Sequence, residues 1–299
     1  MTTSGIPFVK GHGTQNDFVL VPDPDGRLDL TPEQVAAICD RSGGLGADGL
    51  IRVVRSTALP DGVEQSGATE WFMDYRNADG GLSQMCGNGL RVFVAHLLDA
   101  GLVDLPDGGT VDVGTRAGVK RVRRDGDLYA TDLGPWSVPG GEAAAAAGTD
   151  ATVTPDGDPV ALPALTVLTG NPHTVVALPD LDRLAAVDLS RAPVVDPVPA
   201  QGTNVELVVP LHDATATVGH LAMRVFERGV GETRSCGTGA VAAVLAARVW
   251  AGAAAPDVWV VDVPGGRLAV TVPAGDRLAG ESVELTGPAV LIAEGHLRA

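Results

Sequence analysis

Residues 84–89 read QMCGNG and lead without a break into LRVFVAHLLDAGL at 90–102. The apolar continuation predicts a helix that opens at the cysteine. Glycines beside a thiol at a helix mouth add nothing to packing; they uncover backbone amides next to a sulfur. A lone Cys-Gly-x-Gly carries little weight, but this one has a second copy. RSCGTGAVAAVLAARVW at 234–250 repeats around Cys236 what the first stretch sets around Cys86. The likeness extends upstream. A glycine stands five residues before each cysteine (Gly81, Gly231). A polar residue ending an apparent strand stands nine before: Asn77 after WFMDYR, Glu227 after LAMRVF. Further back, FVKGHGTQNDFVLV (8–21) and LTVLTGNPHTVVAL (165–178) both read strand, glycine, asparagine, strand. They put Asn16 70 residues before Cys86 and Asn171 65 before Cys236.

Around the two helices the chain reads as short strands. LIRVV, TVDVG, GVKRVRR, NVELVV, ATATVG, VWVVDV, RLAVTV and AVLIAEG are rich in β-branched residues and bounded by Gly, Pro or Asp. The cysteine helices are apolar on nearly every face, so each must be surrounded. The expected fold is therefore α/β (α+β), with two pseudo-symmetric halves. Each half is a curved, mainly antiparallel sheet wrapped around one central apolar helix. The boundary is expected near residue 132, where ATDLGPW leaves a strand. That makes 1–132 the N-terminal half, joined by a C-terminal strand at 286–299, and 133–285 the C-terminal half. The stretch VPGGEAAAAAGTDATVTPDGDPVALPA (138–164) reads as a flexible excursion.

A length of 299 residues with 45% hydrophobic and 19% charged residues suits a globular protein of two domains. The opening MTTSGIPFVKGHG is too polar for a secretory signal. The longest apolar run, GAVAAVLAARVWAGAAA, is interrupted by Arg248 and reads as a buried helix, not a membrane span. The expected compartment is the cytoplasm. Net charge is −16 and the only lysines are Lys10 and Lys120, so neither nucleic acid nor a membrane surface is an expected partner. The basic cluster KRVRR (120–124) reads as a solvated strand face. Three cysteines make no disulfide framework, and no C-x-x-C spacing points to a metal. Cys39 lies in TPEQVAAICDR, a helix with Thr31 as N-cap and Pro32 at its first position, and reads as an inert core residue.

The chemistry follows from the helix mouths. The first amides of a helix lack internal partners and the dipole makes that end positive, so a carboxylate can bind there and an adjacent thiol is acidified. Two such mouths facing across a cleft could grip one carboxylate with a sulfur on each side of the attached carbon. This fits inversion at the carbon alpha to a carboxylate: one thiolate takes the proton while the opposing thiol delivers another. In an empty site the two sulfurs could close into a disulfide, so activity should need reductant. His173, in GNPHTVV, reads alone as a loop histidine. His12, His96, His212, His220 and His296 have no motif and read as structural. Glu227 and Arg228 could form a strand-end salt bridge, but their distance from Cys236 favours ligand contact. Asn16, Asn77, Asn171 and Asn204 could each be a turn residue.

Taken together, GTQNDFVLV, GGLGADGLI, YRNADGGLSQMCGNGLRVFVAHL, TGNPHTVVAL, GTNVELVV, FERGVGETRSCGTGA and VPGGRLAVTV resemble the diaminopimelate epimerase family, in its order and across nearly the whole chain. The resemblance implies a cofactor-independent enzyme, with no metal, that interconverts LL- and meso-diaminopimelate in lysine and peptidoglycan precursor synthesis. It implies a homodimer, and an active site in the cleft between the halves. Cys86 and Cys236 fall on the family's catalytic thiols, with His173 and Glu227 as the pair supporting them. Gly87 with Asn88, and Gly237 with Thr238, fall on the amide-donating helix starts. Asn16, Asn77, Asn171, Asn204, Glu227 and Arg228 fall on substrate-binding positions. There are departures. Gly49 follows Asp48 where many relatives carry a substrate-contacting glutamine, and Thr238 stands where others have serine.

Three rivals remain. A proline or hydroxyproline racemase shares the paired cysteines but typically has histidine where Asn88 stands, and its substrate lacks the second amino-acid head that the asparagines suit. A pyridoxal-phosphate racemase needs a Schiff-base lysine, for which neither lysine has the setting. A non-catalytic amino-acid-binding protein of this fold would keep its ligand affinity after Cys86→Ala.

Overall fold

The computed structural model describes residues 5–211, 217–275 and 277–298. His212 and part of ATATVG lie outside them. The chain divides into two compact units: Met1–Thr131 with Gly287–Ala299, and Asp132–Thr286.

Unit 1 begins with β1 (Ile6–Gly13), β2 (Asn16–Pro22), α1 (Pro32–Cys39) and β3 (Gly49–Arg55). It continues through the short α2 (Pro60–Val63), β4 (Trp71–Asn77), α3 (Gly87–Asp99), β5 (Thr110–Thr115) and β6 (Gly118–Asp125), and into β7 (Leu128–Asp132). The pairing runs β1–β2 antiparallel, β2–β3 parallel, β3–β4 antiparallel, β4–β5 parallel, then antiparallel through β6 and β7. Each parallel step needs a crossover, and α1 and α3 supply them.

Unit 2 opens with β8 (Trp136–Ser137), α4 (Gly141–Ala147), β9 (Ala151–Thr154), β10 (Leu162–Leu168) and β11 (Pro172–Ala177). Next come α5 (Leu181–Ala186), β12 (Val194–Asp196), β13 (Asn204–Pro210), β14 (Gly219–Glu227), β15 (Gly231–Thr233) and α6 (Gly237–Ala251). β16 (Val258–Val263), β17 (Gly266–Thr271), β18 (Ala279–Gly280) and β19 (Glu284–Pro288) follow. The last strand, β20 (Val290–Leu297), returns to unit 1 and pairs antiparallel with β1. The step order of unit 1 recurs in unit 2: β10–β11 antiparallel, β11–β13 parallel, β13–β14 antiparallel, β14–β16 parallel, then antiparallel through β17 and β19. Here α5 and α6 make the crossovers. The sequence repeat is thus a repeat of topology.

Each cysteine helix is buried along its length. Every residue of α3 from Gly87 to Leu97 is buried, against Phe18, Leu20, Ile51 and Met73 of the sheet. α6 is apolar enough to cross a bilayer, with a mean hydropathy of 1.3 over Gly237–Ala254, yet Gly239 to Val249 are all buried inside unit 2. The outer faces carry the smaller helices. α1 has a capping box from Thr31 and Gln34, and α5 is capped by Asp180.

The alanine-rich stretch differs from the expected flexible excursion. Residues 141–147 form α4, which ends on the left-handed Gly148 (φ 71°), and 151–154 form a strand paired with β10. Alanine is the strongest helix former, and a tertiary bond from Trp250 Nε1–H to the Gly148 carbonyl (2.8 Å) fastens the helix end. Cys39 is buried in α1, and burial pushes its thiol up to about 11. The KRVRR strand is β6, with Arg121 forked onto Asp112 at 2.7 Å on its exposed face.

Candidate active site

Both cysteines are N-caps. Cys86 (φ −139°, ψ 121°) and Cys236 (φ −121°, ψ 118°) have extended backbones, and each sulfur accepts the N–H of the second glycine of its motif. The distances are 3.5 Å from Gly89 and 3.4 Å from Gly239. A sulfur in the place usually held by a serine or aspartate oxygen lies where the helix dipole favours negative charge. At Gly87 and Gly237 the helix has just begun, so their N–H groups are among the orphan amides open to an anion.

In unit 1, the tight β1–β2 turn puts Thr14 (φ 50°) and Gln15 (φ 62°) in the left-handed region. Both central positions of a two-residue hairpin of this hand need positive φ, and threonine there is strained. The turn delivers Asn16. Its Oδ1 accepts from Asn88 Nδ2 at 3.1 Å and from the Cys86 thiol at 3.7 Å, while its Nδ2 donates to Asp48 at 2.7 Å. Asp48 is held in turn by Arg41, at 2.7 Å. Arg91, fully buried below the mouth, donates to Asn88 Oδ1 (2.7 Å) and to the Gly87 carbonyl (3.3 Å). Burial lowers its pKa to about 10, and the neighbouring Cys86 opposes that fall. Asn77 is exposed at the end of β4, directly across the ladder from Gly49. A Cβ at Gly49 would meet the Arg76 carbonyl oxygen and Tyr75 Cε2, each at 2.6 Å. Tyr75 thus fills the space where a side chain at 49 would start.

In unit 2, Cys236 is buried, with Thr238 Oγ1 at 3.5 Å from its sulfur. Glu227 lies beside this thiol, whose contact opposes the rise in the carboxyl's pKa, and accepts from Thr233 Oγ1. Glu227 therefore bonds inside the site instead of closing a salt bridge on Arg228. Burial raises the Glu227 pKa, and Glu206 adds to the rise. Burial also holds the Cys236 pKa well above the usual thiol value, reinforced by the charges of Glu227 and Glu206. His173 and Glu206 are both fully buried, with Nδ1 and Oε1 2.7 Å apart, and His173 Nε2 lies 3.2 Å from Asn171 Oδ1. Asn204 accepts the Arg228 N–H at 2.9 Å, which fixes the turn that carries that exposed guanidinium.

Unit 1 thus gathers Asn16, Cys86, Gly87 and Asn88 at one helix mouth. Unit 2 gathers Asn171, His173, Asn204, Glu227, Arg228, Cys236, Gly237 and Thr238 about the other. Three participants carry no prediction from sequence: Asp48, Arg91 and Glu206. A signal existed for Glu206: a carboxylate inside the buried strand run NVELVV, two residues after Asn204, with no basic neighbour. Leaving such a charge unpaired would cost on the order of several kcal/mol, so a partner had to lie close by in space.

The fold defines the class. Solved structures that share it include the Bacillus anthracis phenazine biosynthesis protein of the PhzF family (TM-score 0.65, 17% identity, 99% of this chain and 100% of that one). A probable proline racemase from Agrobacterium radiobacter is similar too (TM-score 0.61, 16% identity, 98% and 93%). At these identities the likeness concerns the fold alone. Sequence is more specific. The diaminopimelate epimerase family profile matches residues 8–137 and 165–292. The diaminopimelate epimerase of Streptomyces coelicolor is 46% identical over 97% of this chain and 95% of its own, and that of Thermobifida fusca 47% over 97% of each. The chain belongs to the diaminopimelate epimerase family, and is an isomerase.

Proposed function

We propose that the protein interconverts LL- and meso-2,6-diaminopimelate by two-base proton transfer at Cα, without cofactor or metal, as a cytoplasmic homodimer in lysine and peptidoglycan precursor synthesis. The observation that carries the reading is the pair of capping thiols, each beside orphan helix amides, in a chain 46% identical to an enzyme of that name. One thiolate removes the α-proton while the other thiol donates from the opposite face. Amides at Gly87, Asn88, Gly237 and Thr238 take the charge that builds on the substrate carboxylate. Cys86 and Cys236 are the acid/base pair, and His173 and Glu227 support them. Asn16, Asn77, Asn171, Asn204 and Arg228 bind the substrate. The distal amino-acid head needs acceptors for its ammonium and donors for its carboxylate, which amide side chains with Arg228 provide. The side chain of Thr238 in place of serine leaves the backbone donor untouched.

The test is incubation of reduced protein with LL-diaminopimelate in D₂O, following stereoisomers and Cα deuterium by chiral chromatography with mass detection. Meso product carrying deuterium, lost in Cys86→Ala and in Cys236→Ala, is the expected result. No conversion and no exchange by the folded, reduced protein would sink the proposal and turn attention to proline, hydroxyproline and simple amino-acid binding.

A further inference from the structure

Glu206 has no role in the reading above, yet it lies in the same buried cluster as Cys236. Its Oε1 faces His173 Nδ1 at 2.7 Å, and its Oε2 is buried without a hydrogen-bond partner among the described residues. It also sets the shape of the helix mouth: a Cβ on Gly239, the residue whose amide caps Cys236, would meet Glu206 Oε1 at 2.7 Å. The acid, the histidine and the capped thiol are thus packed against one another.

The topological repeat shows that the fold itself does not require this pair. His173 lies opposite Asn204 on the parallel ladder, with Glu206 two residues further on; Phe18 lies opposite Gly49, with Ile51 two residues further on. Asn171 and Asn16 each stand two residues before their strand's counterpart. The helix glycines agree, since a Cβ on Gly89 would meet Ile51 Cδ1 at 3.2 Å and Phe18 Cε1 at 3.4 Å. Phe18 and Ile51 are thus the unit 1 counterparts of His173 and Glu206. An apolar pair serves the architecture, so the ionic pair in unit 2 serves something else.

The hydrogen bonds say what. His173 Nδ1 faces a carboxylate oxygen and Nε2 faces the Asn171 amide oxygen, so both ring nitrogens meet acceptors. An imidazolium balanced by Glu206 is the form of the ring that satisfies both contacts. We propose that Glu206 is a positioning residue that holds His173 as a buried imidazolium between Asn171 and itself. The pair is neutral as a unit, which leaves Glu227 and the Cys236 thiol to exchange one proton without a second uncompensated carboxylate beside them. The inference rests on the epimerase reading for its function, while the charge state of His173 can be read without any substrate.

The experiment uses full-length protein labelled with ¹⁵N-histidine, with His173 assigned by the signals missing from His173→Phe. At the pH of maximal activity, both His173 nitrogens should show the protonated shift in the native protein. In Glu206→Gln they should show a neutral ring, with kcat at least tenfold lower and KM little changed; Glu206→Asp should restore the imidazolium and part of kcat. A neutral His173 in the native protein overturns the proposal, as does a Glu206→Gln protein with unchanged His173 signals or unchanged kcat. Should Glu206→Gln fail to fold, the native spectrum decides alone, and Glu206→Ile with His173→Phe copies the unit 1 pairing. That double variant should fold with an unchanged or raised Tm and lose at least a hundredfold in kcat; retained activity overturns the proposal. If the native protein fails to turn over diaminopimelate while His173 is an imidazolium, the epimerase reading falls and the assignment of charge stands.

Discussion

Behind Cys86 the unit 1 sheet sets Phe18 and Ile51 against the capping glycine; behind Cys236, the same positions of unit 2 hold His173 and Glu206. The charges nearby are opposite as well. Beneath Cys86 lies a buried guanidinium, Arg91, bonded to neutral oxygens of Gly87, Asn88 and Pro288. Around Cys236 the Glu227 carboxyl adds to the burial that raises its pKa, while Glu206 faces His173. One architecture therefore presents two thiols in different fields.

The largest expected effect tests whether both mouths are needed. Cys86→Ala and Cys236→Ala should each lower the epimerisation rate by about 10²–10⁴-fold, the range for a positioned acid or base. Chiral chromatography of the D₂O reaction measures it, and one alanine variant with near-native turnover would break the symmetry argument. Next comes Asn16→Ala, which removes the acceptor shared by Cys86 and Asn88 and one of the donors to Asp48. A buried polar contact of about 1–3 kcal/mol corresponds to a fall in kcat/KM of roughly 10–100-fold, read from initial rates. Asn171→Ala, which takes the acceptor from His173 Nε2, should be of similar size.

The field difference has its own test. Burial is the main cause of the raised Cys236 pKa, and the Glu227 charge the next. Glu227→Gln should therefore lower that pKa, enlarge the thiolate fraction at fixed pH, and speed alkylation of Cys236 by iodoacetamide several-fold. Mass spectrometry of the labelled peptide follows it; slower or unchanged labelling would remove Glu227 from the account. Cys39, with its pKa pushed up to about 11, should label only slowly at pH 8. The smallest effects compare the outer crossovers. Thr31→Ala at α1 and Asp180→Ala at α5 should each cost about 1 kcal/mol, seen as a fall of a few degrees in Tm.

Much of the fold was legible because repetition is visible in one dimension. Cys-Gly-x-Gly before an all-apolar helix, twice, with glycine and a strand end at matching offsets, says that two similar units each enclose a helix. The capped start of α1 was equally plain, since Thr31 and Pro32 act on their own neighbours. The alanine-rich stretch was misread as flexible because its anchors, the Trp250 bond and the pairing with β10, lie far away in sequence.

At the site, the sequence alone determined which residue types stand at the helix mouths, because caps, glycines and orphan amides are local properties of the chain. Only the tertiary structure decided what surrounds each thiol. Glu206 reaches His173 across 33 residues, and Arg91 reaches the Pro288 carbonyl across 197. Burial supplies the rest: water screens an exposed carboxylate, whereas a fully buried one keeps its field and must be met by a specific partner. Such partners are chosen by which strands lie side by side and which face of each strand turns toward the helix.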